Sequence, residues 1–190
     1  VDPNTPVVVQ EADPATAPDV GGDTVTEEAA SAATRIAIDT PRLSGTISTL
    51  GGRIDDLSLK GYKETLEADA ETVRLLAPIG EENTYYAVFD WLPGAGLARG
   101  DVPGATTIWQ TAPDATLTVE TPLVLTWSNG KGLTFSRTIS VDDHYMFTVS
   151  DAVQNAGAAE VRLAQSGVVA RHGMPTNLQN IFVVHEGLIR

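Results

Sequence analysis

The chain has 190 residues, 42% of them hydrophobic, enough for one domain whose core buries roughly 70% of the unfolded surface. Its net charge of −13 is unevenly placed, because residues 1–34 hold seven acids and no Lys or Arg, leaving 18 acids against 12 bases beyond them. The absence of a Lys/Arg cluster argues against nucleic acid and anionic membrane surfaces as partners, and the absence of cysteine excludes disulfides, thiol catalysis and thiolate metal sites.

Residues 1–34 carry Pro3, Pro6, Pro14, Pro18 and the Gly21-Gly22 pair with no aromatic residue. Such a segment cannot bury enough apolar surface to offset its ordering cost, so it is expected to be a disordered acidic linker ahead of a folded unit at 35–190. It lacks the basic and apolar regions of a secretory signal, and no run of about 18 apolar residues follows, so the chain as given reads as a soluble piece.

From Arg35 the pattern changes to short strands. Ile36 and Ile38 alternate with Ala37 and Asp39; Leu43, Gly45, Ile47 and Thr49 run into Gly51-Gly52; Ile54, Leu57 and Leu59 follow. The Asp55-Asp56 pair breaks the period of two there, which predicts a bulge or a turn of the sheet. Val73–Ala77 and Tyr85–Trp91 are the next candidates, the second with apolar residues on both faces. Leu92 to Thr106, with two prolines and four glycines, is predicted to be an exposed irregular loop. Thr107–Thr111 and Ala115–Val119 then precede the strongest signal in the chain.

That signal runs from Leu123 to Val153. Leu123, Leu125 and Trp127 alternate with polar neighbours, as do Leu133, Phe135, Arg137 and Ile139, around Asn129-Gly130-Lys131-Gly132. A type I turn starting at Asn129, with Gly132 taking a positive φ, sets Trp127 opposite Phe135; a two-residue loop would instead mix apolar and polar faces. Tyr145–Val153, Glu160–Ala170 and Asn180–His185 complete about eleven strands. Their spacing and Gly, Asn and Pro turns predict an all-β antiparallel sandwich.

Little in the sequence has the pattern of reactive chemistry. His144, His172 and His185 are the only imidazoles, and no two share ligand spacing with a carboxylate third, so no metal, cofactor or catalytic residue is expected. Asp55-Asp56 and Asp142-Asp143 read as turns and solvated faces, lacking the further oxygens that calcium wants. Trp91, Trp109 and Trp127 could form a platform for a sugar or an extended peptide. Core packing is favoured for Trp127, with an expected cost of about 3–5 kcal/mol for Trp127→Ala, while Trp91 and Trp109, flanking the glycine-containing loop, are evenly balanced.

Several stretches in order carry a family likeness: Leu43-Ser44-Gly45-Thr46-Ile47; Gly51-Gly52-Arg53-Ile54-Asp55-Asp56-Leu57-Ser58-Leu59-Lys60; Tyr85-Tyr86 with Trp91; Leu125 to Phe135; Arg137 to Asp142 with Tyr145 to Val149; Arg171-His172-Gly173; and His185-Glu186-Gly187-Leu188. From about Ile36 to Arg190 the chain resembles the large periplasmic domain of the YidC branch of the YidC/Oxa/Alb family of membrane-protein insertases. The resemblance implies a β-supersandwich of the galactose-mutarotase-like type, truncated here at its C-terminal end, in the periplasm and tethered to the inner membrane through helices not in this chain. It implies a non-catalytic insertase and chaperone domain that contacts the Sec translocon components SecD, SecF and SecY or nascent membrane proteins.

An early end to the sandwich would leave strand edges open, so self-association or marginal stability of this piece is a further expectation. The rival reading is a carbohydrate-binding or mutarotase-like sandwich, with the Leu92–Thr106 loop as a rim and His172 or His185 working with Glu186 or Glu160 as acid and base.

Overall fold

The computed structural model describes residues 33–81 and 83–172. The expected strand Asn180–His185, together with His185 and Glu186 and nearly all of the expected linker, lies outside the described residues. Ten strands are present: β1 Arg35–Asp39, β2 Leu43–Ser48, β3 Arg53–Lys63, β4 Thr72–Leu76, β5 Tyr85–Pro93, β6 Thr116–Leu117, β7 Leu123–Ser128, β8 Leu133–Val141, β9 Phe147–Asn155 and β10 Leu163–Arg171. No α-helix occurs among the described residues.

The strands form two sheets. The larger runs β10-β5-β3-β2-β1-β6 with β4 beside β3, and the smaller runs β7-β8-β9. Every pairing is antiparallel except β1 with β6, which is parallel over Ala37↔Thr116 and Ile38↔Leu117. The inner faces meet as a sandwich whose core includes Ile36, Ile38, Leu43, Ile47, Ile54 and Leu57 from one sheet and Leu123, Leu125, Leu133, Phe135 and Ile139 from the other. Trp91 of β5 stands edge-on to Phe135 of β8, ring centres 5.7 Å apart, and joins the two layers.

The Asp55 interruption is a bulge. Thr46 pairs with Asp56 and Ile47 with Ile54, so Asp55 is the extra residue, and the half-period shift lets Ile54 and Leu57 face the same core. Gly45 sits at the point of closest approach, where a Cβ would run into the Asp56 carbonyl. Asp55 departs from the expected solvated face: it is buried and paired with Arg35, while its neighbour Asp56 meets the Arg74 guanidinium at 2.9 Å. Asp142 does mark a turn, its Oδ1 accepting the amides of His144 at 2.7 Å and Met146 at 2.8 Å.

Trp127 pairs with Phe135, as turn chemistry and parity require. The turn itself differs from type I, since Gly130 as well as Gly132 has positive φ, +69° and +103°. The Asn129 side chain closes it instead, its Oδ1 accepting the amides of Lys131 at 2.8 Å and Leu133 at 3.1 Å.

Several expected elements change. The loop after β5 is exposed only in its first half; Asp101 to Ala105 are buried, following a short 3-10 turn at Arg99–Asp101. Partners far along the chain satisfy its backbone: Arg53 Nη2 donates to the Ala105 carbonyl at 3.0 Å and Asn129 Nδ2 to the Asp101 carbonyl at 3.1 Å. Residues 107–111 make only isolated bridges, Leu50↔Ile108 and Gln110↔Thr126, and the strand expected at 115–119 shrinks to Thr116–Leu117. Tyr145 and Met146 belong to the turn before β9, not to the strand.

Candidate docking groove

Among the described residues, those expected from sequence as acid, base or ligand do not converge. His144 is exposed, its Nδ1 2.6 Å from Asp143 Oδ1, and His172 is exposed beside the Tyr86 ring. Glu160 precedes β10 and His172 follows it, so a strand of nine residues separates them, about 31 Å at 3.4 Å per residue. One small substrate cannot touch both. Among the described residues no cluster of three or more His, Asp or Glu has a metal-binding arrangement.

The tryptophans reverse their expected order. Trp109 and Trp91 are 2% and 8% exposed, whereas Trp127 is only half-buried. Trp109 is covered because the Arg137 guanidinium lies over its ring. Arg137 lies on the inner face of β8, fully buried, and its guanidinium stacks 4.9 Å from the Trp109 ring centre and 5.7 Å from that of Phe89. Nε and Nη2 hold the two oxygens of Asp151 at 2.8 and 3.0 Å, and Gln165 Nε2 adds a bond to Asp151 at 3.3 Å. The signal for this pair was a basic residue on an apolar strand face with an acid one hairpin later.

A concave surface lies around the segment from Trp109 to Ala115. The Trp109 amide donates to the Thr49 carbonyl at 2.9 Å, and Gln110 exchanges both backbone bonds with Thr126 at 2.9 and 2.8 Å. The segment then turns away at Asp114, φ +58°, before entering β6. A groove opens on each side of it. One, of about 570 Å³, lies between the segment and the start of β1; the other, of about 480 Å³, lies between it and the start of β7.

Among the described residues the β1 wall of the larger groove is an unfinished ladder. Thr34 accepts the Thr49 amide at 2.9 Å, so strand alternation turns the N–H and C=O of Arg35 away from β2 and into the groove. The parallel pairing with β6 begins only at Ala37. The Arg35 side chain reaches across β2, its Nε donating to Thr46 Oγ1 at 2.6 Å and its Nη2 bound to Asp55 of β3. Burial pushes the Asp55 carboxyl above its usual range, an effect that the Arg35 hydrogen bond opposes without cancelling. Among the described residues the groove therefore combines backbone groups of Arg35 that face it with the apolar walls of Ile36, Ile108 and Trp109, an arrangement suited to an extended polypeptide.

Residues 35–190 match the family model of the YidC periplasmic domain. A membrane protein insertase YidC of Cereibacter sphaeroides (strain KD131) is 57% identical over 155 residues, covering 82% of this chain and 25% of that protein. The protein of the same name from Dinoroseobacter shibae is 50% identical over 184 residues, covering 97% of this chain and 29% of the relative, and that of Roseobacter denitrificans is 47% identical over 175 residues, covering 92% and 29%. The chain thus spans a quarter to under a third of the length of these relatives. With a strand bulge, hairpin and sandwich core formed by the stretches that carry the likeness, the chain belongs to the YidC periplasmic-domain family.

Proposed function

We propose that this chain is a non-catalytic periplasmic docking domain of a membrane-protein insertase, supporting insertion and folding of inner-membrane proteins by holding extended segments of substrate or of Sec translocon components such as SecD, SecF and SecY. The observation that carries this reading is the unfinished β1 ladder facing a groove of about 570 Å³. Strand addition there supplies main-chain bonds without demanding a particular sequence, which suits a domain that meets many clients. In the same reading residues 1–34 are the tether to a preceding membrane helix and 35–190 are the folded unit. No helix among the described residues is long and apolar enough to cross a membrane, so the insertion step would belong to other parts of such a protein.

Photo-crosslinking in the full-length insertase tests this. A photoreactive residue at Thr111, in the groove, is expected to capture nascent membrane proteins or translocon subunits, while one at Leu66, on the exposed β3–β4 hairpin, is not. Equal capture at both positions, or none at Thr111, contradicts the groove assignment.

One observation favours a saccharide-binding alternative. The half-buried Trp127 forms, with Arg99, Thr106 and Thr107, a small recess of about 200 Å³ beside the loop after β5. An aromatic face with neighbouring hydroxyls and a guanidinium can stack on and bond a single sugar ring. Binding on a glycan array that is lost in Trp127→Ala would favour this alternative over the docking reading.

A further inference from the structure

The β7–β8 turn places Asn129 directly before Gly130, a sequence in which no side chain shields the backbone nitrogen from the preceding amide. Asparagine is a thermolabile residue for this reason. In the reaction the Gly130 nitrogen attacks Asn129 Cγ and loses its proton, ammonia leaves, and a five-membered cyclic imide remains. Water then opens the imide at one carbonyl to give aspartate or at the other to give isoaspartate. The step needs no partner beyond water.

The folded turn opposes each requirement. Asn129 Oδ1 accepts from Lys131 N at 2.8 Å and Leu133 N at 3.1 Å, and Nδ2 donates to the Asp101 carbonyl at 3.1 Å, so the side-chain amide is pinned from both ends. The Gly130 N–H donates to Ser128 Oγ at 3.3 Å. Rotation about the Asn129 backbone is restrained by its own N–H, which donates to the Leu133 carbonyl at 3.1 Å. Gly130 is nevertheless exposed, so geometry and not exclusion of water holds the reaction back.

We infer that Asn129 is a deamidation site gated by folding: closed in the intact hairpin and open whenever the turn unfolds. The product cannot restore every bond of the turn. Aspartate has no Nδ2 to donate to the Asp101 carbonyl, and it sets a second carboxylate near Asp101, whose own side chain is engaged by Lys131 Nζ at 2.7 Å. Isoaspartate adds a backbone carbon between Ser128 and Gly130 and shifts the pairing of Trp127 with Phe135. Modification at this position therefore marks chains that have failed to hold the hairpin.

The test is a peptide map of the full chain after incubation in mildly alkaline buffer, folded or in urea. Deamidation of Asn129 is expected to be slower in the folded chain by at least about tenfold, the protection that local opening imposes on a turn of moderate stability. Equal rates in the two conditions overturn the inference. Ser128→Ala, which leaves the backbone pairing of β7 and β8 in place, is expected to raise the folded rate severalfold without changing the rate in urea. An unchanged folded rate in that variant, with the hairpin intact by amide exchange, overturns the assignment of the gate to the turn.

Discussion

Arg137 and Asp151 are direct register partners across β8 and β9 of the smaller sheet, and their side chains close a two-point ion pair on its inner face, Arg137 wholly buried and the Asp151 carboxylate nearly so. The burial of this pair sets a rule for substitution. Breaking it leaves a buried cation; replacing both members leaves only a shape to fill.

Asp151→Asn or Asp151→Ala is therefore expected to cost about 3–5 kcal/mol, whereas Arg137→Met combined with Asp151→Leu should be near neutral or stabilising. Urea melts of the three variants measure this. A single Asp151 variant as stable as the parent would show that the pair is hydrated and not buried.

Trp109→Ala should cost about 3–5 kcal/mol, through both the lost core volume and the uncovered Arg137. Trp127→Ala should cost less, by at least about 1 kcal/mol, because its indole is only half-buried. Denaturant melts in which Trp127→Ala is the more damaging change would contradict the burial order.

Asp101 and Asp55 should respond to acid with opposite signs. The Lys131 bond, and then the Ala98 amide, hold the Asp101 carboxyl below its usual range, so its contribution is present above the unfolded value near 3.9 and is lost as pH falls through the folded one. Burial raises Asp55, so its contribution is full below the unfolded value and is lost as pH rises through the folded one. Relative to the parent, Asp101→Asn should become more destabilising between about pH 3 and about pH 7, and Asp55→Asn less so. Melts at intervals across that range decide it; parallel slopes for the two variants would contradict the assigned causes.

Gly132→Ala should cost about 1–2 kcal/mol, since φ of +103° is poorly tolerated by a residue with a Cβ. Lys131→Ala next to it removes a side chain anchored only to Asp101 and should cost less. Thermal melts of both compare the terms, and an inversion of their order would show that the backbone of the turn relaxes.

Local chemistry carried most of what the sequence disclosed. The Trp127–Phe135 register follows from the period of two and a four-residue turn, and the bulge at Asp55 from a broken period, both read over a dozen residues. What escaped depends on distant partners. Ala105 is buried because Arg53, 52 residues earlier, bonds its carbonyl, and nothing within the glycine-rich loop announces that. Alternation put Trp127 on an inner face but could not say whether that part of the face is covered, and it gave no hint that Trp109, in a segment with only isolated bridges, is roofed by the Arg137 guanidinium. The groove was unreadable for the same reason: it exists because β6 stops short of Arg35, a fact about two strands some 80 residues apart.

Amide hydrogen exchange of the full-length insertase, with and without an extended periplasmic segment of a membrane-protein substrate, tests the docking account most directly. The account predicts slower exchange at the Arg35 amide, which faces the groove, with little change at Ile36, already bonded within the β1–β2 ladder. Binding of the segment with Arg35 exchange unchanged and protection confined to other surfaces would contradict it.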